Sequence, residues 1–205
     1  MANSPGFPAI YQRHAVAASA AIFFAGLAIS SAFYFSGRPI RFADAVISNF
    51  LSPGDNPHGY LAASAATALA GLVLAPTALS FFRRLSTIHR WGSLLATIFY
   101  VAGILVAIAI GCLAPVRELD FSVHLFLAYA AFMSLQAGIS VYLTVGAHNA
   151  KSRGRTAFAV AEWVLAILVF AVSFGPDWPG SVAFCEWSLC ATIGAGLWVL
   201  ASWCS

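Results

Sequence analysis

Charge is what this sequence has least of. Of its 205 residues only 8% are Asp, Glu, Lys or Arg, where a soluble domain averages about 25%. That little charge cannot cover a water-facing surface, whereas lipid asks for no such cover. A net charge of +3 is too small to point to nucleic acid. The four cysteines form no C-x-x-C pair, which removes zinc knuckles and thioredoxin-type sites. No H-x-x-x-H, H-E-x-x-H or G-x-S-x-G pattern occurs, so no metal site is assigned and no cofactor is named. The apolar runs also lack the two-residue alternation of a membrane barrel.

What is abundant is apolar length. Hydrophobic residues make up 61% of the chain and the mean hydropathy is +0.87. Roughly 20 apolar residues span a bilayer, and six segments qualify: His14 to Phe35, Gly59 to Phe82, Trp91 to Ala114, Phe121 to Gly146, Thr156 to Phe174, and Ser181 to Trp203. Gly and Pro punctuate the breaks, as at Pro53-Gly54, Pro115 and Gly175-Pro176. The expected fold is all-α: residues 1–205 as a single bundle of six transmembrane helices. The run from Ala15 to Phe35 exceeds the ~7–15 residues of a signal-peptide core and reads as a retained first helix.

Basic residues set the expected orientation. Arg13, Arg83, Arg84, Arg90, Lys151, Arg153 and Arg155 fall on one side, against Arg38, Arg41 and Arg117 on the other. Both termini are therefore expected in the cytoplasm of a multi-pass protein of a bacterial inner membrane or a eukaryotic plasma membrane or endomembrane. Trp91, Trp178 and Trp203 sit near span ends, where indole rings prefer the interface. Small residues crowd the helices, as in Ala62-Ala63-Ser64-Ala65-Ala66-Thr67, and favour tight helix packing over a polar channel. Pro76 should kink the second span or leave a carbonyl free.

The longest connection, residues 36–58, is expected outside. It holds a stretch from Arg41 to Leu51 with apolar Phe42, Ala45, Val46 and Phe50, suited to a short helix along the membrane surface. Asp55, His58, Asp120, His124 and Glu186 can converge on the outer third of the bundle. Ionisable residues inside a membrane are costly and are functional candidates. Ser48, Asp55, His58, His124 and Glu186 form the candidate set for acid–base chemistry on an ester, and the two His with carboxylates could instead hold zinc and activate water; the competing reading is that each only caps a helix or bonds a loop. Asn49, Asp120 and Glu162 are candidates for lipid headgroup contact. Glu162, about six residues into its span, needs a partner such as Arg155, Arg90 or a Ser/Thr hydroxyl. His14, His89 and His148 lie among basic residues and read as headgroup contacts. Cys112 and Cys185 can pair if their helices touch; the preferred alternative is four buried, free cysteines acting as small apolar residues.

Several short elements carry a resemblance. Ile47-Ser48-Asn49 before a Pro-rich turn, Val123-His124 followed by Ala131-Phe132, Ala161-Glu162-Trp163 after a basic loop, and Asp177-Trp178 resemble the FRAG/DRAM/Sfk family of six-helix membrane proteins. That family includes the damage-regulated autophagy modulators and the post-GPI-attachment lipid remodelling proteins. The resemblance spans Ile47 to Trp178 and implies processing, transport or sensing of lipid at the lumenal or external leaflet. Asn49 departs from the family, which usually has Asp there; Asp55 is the nearest substitute.

Three functions compete at this point. The first is a protein that binds or handles membrane lipid at the outer leaflet, alone or as an accessory subunit beside another membrane protein. The second is a lipid hydrolase or acyltransferase using the His and carboxylate set. The third is a haem protein in electron transfer, with His58 facing His124 and His89 facing His148. The position of His89 and His148 in basic loops weighs against it.

Overall fold

The computed structural model describes residues 9–41, 43, 45–113, 121–150, 152–173 and 181–204. Seven helices follow in order: α1 (Ala9–Tyr34), α2 (Ile47–Leu51), α3 (Tyr60–Leu85), α4 (Arg90–Leu113), α5 (Phe121–Ala150), α6 (Arg153–Ser173) and α7 (Ser181–Trp203). No strand occurs among the described residues. All but α2 are long and apolar enough to cross a membrane, giving the six-helix membrane bundle expected from the sequence.

The inside-out distribution of residues explains why this sequence folds in lipid. Outward-facing positions carry Ile98, Leu105, Ile167 and Leu168, each more than half exposed. Buried positions include Ser30, Thr77, Ser93, Gln136, Ser140, Glu162 and Glu186. Hydrocarbon gives no reward for burying Leu, so packing and internal hydrogen bonds hold the helices. Small residues allow the approach. A Cβ added at Gly138 of α5 would lie 2.6 Å from the Tyr100 backbone nitrogen of α4, and one at Gly26 of α1 would collide with Ala66 of α3.

Neighbouring helices pack in sequence order, α1 on α3, α3 on α4, α4 on α5, with α7 returning to α5 and α1. α6 sits on the outside of α5 and α7. A solid core fills the space between α3, α4 and α5. There Phe81, Tyr100 and Tyr142 meet edge to face, with centroids 5.7 to 6.1 Å apart. The Tyr100 hydroxyl bonds Thr77 at 2.9 Å and the Tyr142 hydroxyl bonds Thr97 at 2.6 Å, satisfying both buried phenols.

Helix ends run past the apolar runs. α3 carries Arg83 and Arg84 in its last turn, and α6 begins at Arg153, because long basic side chains reach the interface from within a helix. Pro76 does not end α3, which continues from Tyr60 to Leu85. The nearby Thr77 hydroxyl donates to the Leu74 carbonyl at 2.6 Å. His89 is a helix cap rather than a free headgroup contact: its Nδ1 accepts the Gly92 N–H at 2.9 Å at the start of α4. His14 and His148 are exposed. Trp91 is 72% exposed at the first turn of α4, as an interfacial indole should be; Trp178 lies outside the described residues.

Candidate functional site

The loop between α1 and α3 folds inward. Among the described residues of this loop, α-helix is found at Ile47–Leu51, and residues 42 and 44 of the stretch expected from Arg41 lie outside the described residues. Ile47, Phe50 and Leu51 are buried, with Phe50 packed against Tyr34 and Phe35 at 5.4 and 6.1 Å. Two sets of hydrogen bonds hold the segment. From α1, the Ser30 hydroxyl donates to the Phe50 carbonyl at 2.8 Å, and Asn56 Nδ2 donates to the Ser30 carbonyl at 3.0 Å. From α7, Glu186 Oε2 accepts the backbone N–H of Ile47 at 2.5 Å and of Ser48 at 3.2 Å. The Trp187 indole N–H donates to the Ala45 carbonyl at 2.7 Å.

Beneath this plug lies a cavity of about 350 Å³, within the ~300–1,000 Å³ usual for small-ligand sites. Five spanning helices enclose it, and its wall is built from Ala17, Ala20, Ala107, Ala131 and Gly194, with larger apolar side chains between them. Ser48 of α2 and Glu186 meet at one end of it, while the other hydroxyls of the lining, Ser19 and Thr67, lie further along and donate to the Ala70 and Ala63 carbonyls. Along α7 the wall runs from Glu186 to Trp198, about 18 Å at 1.5 Å per residue. That is close to the ~15 Å depth of one leaflet's hydrocarbon, half of ~30 Å. Lining residues Ala17, Ala20 and Phe24 of α1 and Gly194 and Trp198 of α7 are also exposed, so the cavity communicates sideways between α1 and α7. At the plug end that gap is bridged by Phe24 stacked on Trp187, with centroids 6.5 Å apart and planes 10° from parallel.

The expected cluster forms only in part. Glu186 and Ser48 come together, with the Ser48 hydroxyl beside the carboxylate. Asp55 and His58 do not join them: both are exposed. Asp55 receives only a loop contact, its N–H donating to the Ser52 hydroxyl at 3.2 Å. Asp120 and the side chain of His124 lie outside the described residues. Asn49 reaches the Tyr34 hydroxyl at 3.4 Å. Among the described residues no three His, Cys, Asp or Glu side chains gather as metal ligands.

Glu162 finds neither arginine. Its Oε1 accepts Gln136 Nε2 at 2.9 Å, and Gln136 Oε1 accepts the Thr192 hydroxyl at 3.0 Å, linking α6, α5 and α7. Arg155 instead lies over the Trp203 ring at 5.0 Å. A buried carboxylate tied to an amide inside the bundle acts as a helix-to-helix strut. The four cysteines are free; Cys185 and Cys204 are buried, Cys190 is half-buried and Cys112 exposed, so the expectation of four buried cysteines holds at two of them.

Three features of the site escaped sequence reasoning. Asn56 and Ser30 were readable as polar residues next to apolar runs, and Gln136 is one of only two glutamines in the chain. The cavity had no such signal, because Ala and Gly read equally as close packing. No family model, curated protein or solved structure matches this chain.

Proposed function

We propose that this membrane protein binds lipid, holding a hydrocarbon chain in the cavity between α1, α3, α4, α5 and α7. The polar part of the lipid sits at the Ser48 and Glu186 end. The carrying observation is the cavity itself: five helices leave about 350 Å³ with a mostly apolar lining, its Ser19 and Thr67 hydroxyls bonded to backbone, and a carboxylate at one end. Water gains too few hydrogen bonds from that lining to fill it. A lipid tail fits its chemistry and its single-leaflet depth, and the gap between α1 and α7 offers a way in from the bilayer. With the arginine-rich end in the cytoplasm, the polar end faces the external or lumenal leaflet. The resemblance to the FRAG/DRAM/Sfk family agrees with that placement.

The test is lipid retention. Native mass spectrometry after detergent exchange should find one lipid held by the wild type. Gly194→Trp with Ala131→Phe, which fills the cavity from two sides, should lose it while thermal stability holds. Equal retention by both proteins overturns the reading.

A second reading, ester hydrolysis or acyl transfer, has one observation in its favour: the Ser48 hydroxyl beside a buried carboxylate. Lipid turnover in vesicles separates the two readings. A wild-type rate lost in both Ser48→Ala and His124→Ala supports an enzyme; equal rates, or no turnover at all, dispose of it.

A further inference from the structure

Glu186 is the one ionisable carboxyl group in the cavity wall among the described residues. It lies about 7 Å along α7 from Ser181, at 1.5 Å per residue, and is 9% exposed. Everything that reaches it is a donor. The Ile47 and Ser48 N–H groups both come to Oε2, and the Ser48 hydroxyl stands beside the carboxyl. Oε1 accepts no backbone N–H. A carboxylate offers about four acceptor positions on its two oxygens, and these donors do not fill them. No cation answers Glu186 among the described residues: only Ile47 and Ser48 supply groups that bond it. Arg38 lies over the Tyr34 ring at 5.0 Å, and Arg41 and His58 are exposed. A buried carboxylate without a counter-charge is costly, and a ligand that delivers the counter-charge relieves that cost.

We propose that the cavity selects a single-chain lipid amine, whose ammonium group pairs with Glu186 while its hydrocarbon chain fills the apolar length beyond. This selectivity presupposes that a lipid chain occupies the cavity and adds the chemistry of its head. An ammonium carries three donors and no acceptor, and both Glu186 and the Ser48 hydroxyl oxygen can accept from it. A phosphate or carboxylate head would set like charges against each other in a site with little water to screen them. A hydroxyl head would bond Glu186 without supplying a counter-charge. In a diacyl phospholipid the amine stands beyond a phosphate, which would have to enter the same end of the cavity. In a long-chain amine the nitrogen is joined directly to the chain, and one chain suits a cavity about one leaflet deep.

The experiment uses the full chain in detergent at neutral pH. Protein is equilibrated with an equal mixture of hexadecylamine, hexadecanol and palmitate, and the retained ligand is read by native mass spectrometry. The wild type should retain the amine about tenfold or more over the alcohol and the acid, the scale of a hydrogen bond to a charged group. Glu186→Gln should hold the amine no better than the alcohol. A carbodiimide added to the wild type with hexadecylamine gives a readout that needs no variant. It condenses a carboxyl with an amine in contact, taking up the water as its urea. The amide should form on the Glu186 peptide and not on that of Glu162, which is also buried. Retention of none of the three ligands overturns lipid binding in this cavity altogether. Retention of the alcohol or the acid as well as the amine leaves lipid binding standing and overturns the amine assignment. An amine preference unchanged in Glu186→Gln, or no amide at Glu186, overturns it equally.

Discussion

Between α3, α4 and α5, Phe81, Tyr100 and Tyr142 meet ring to ring and their hydroxyls are tied to threonines. Between α1, α5 and α7, the corresponding space is bordered by Ala17, Ala20, Ala131 and Gly194 and stays open over about 350 Å³. The same six-helix bundle is thus filled on one side and hollow on the other. Both are lined by apolar residues, and the small ones among them leave the hollow side open. The filled side fixes how the helices cross; the hollow side is free to take a ligand. Glu186 and Trp187 belong to the hollow side, where they hold the α2 plug in place.

The largest expected effect breaks the filled side. Tyr100→Ala removes a fully buried ring and should destabilise by about 3–5 kcal/mol, seen as a lower midpoint of thermal unfolding in detergent. At the hollow side Glu186→Ala comes next. It leaves the Ile47 and Ser48 N–H groups without their acceptor, at about 1–3 kcal/mol for a buried unsatisfied group. Protease cleavage within 36–58 should rise. Glu186→Gln keeps one acceptor oxygen and should lose less; equal losses would mean the carboxylate does not latch the plug. A glycine pair sharpens the contrast further. Gly138→Ala pushes a methyl into the α4 backbone and should cost about 1–3 kcal/mol. Gly194→Ala meets open space and should change the unfolding midpoint little. On the filled side a smaller loss is expected of Thr77→Val, which removes the Tyr100 partner and should cost roughly 0.6 kcal/mol, the usual scale for a side-chain bond between membrane helices.

The six spans were legible because each is a run of apolar residues about as long as a bilayer is thick. Their ends were not. Arg83 and Arg84 continue α3, and residues before His14 continue α1 as far back as Ala9, since a helix does not stop where its side chains become polar. Pro76 was legible as a perturbation but not as one the helix absorbs. At the site, Glu186 and Ser48 stood out because a carboxylate in a span needs an explanation. Their roles did not: what Glu186 binds is backbone from a loop far away in sequence, which no local pattern encodes. Asp55 and His58 looked equally chemical, yet the turn at 52–57 leaves both at the surface. Gly138 and Gly194 show why the cavity was hidden. One is pressed against a neighbouring helix and the other faces space, and the letter is the same.

Cross-linking from inside the bundle tests the central claim most directly. A photo-reactive amino acid is placed at Ala131 or Ala107, facing the cavity, and at Ile98 or Leu168, facing outward. The protein is exchanged into detergent, irradiated and weighed. The cavity positions should yield an adduct with one dominant lipid, while the outward positions should yield detergent adducts. Detergent adducts alone at all four positions would mean that no hydrocarbon chain is held between the helices.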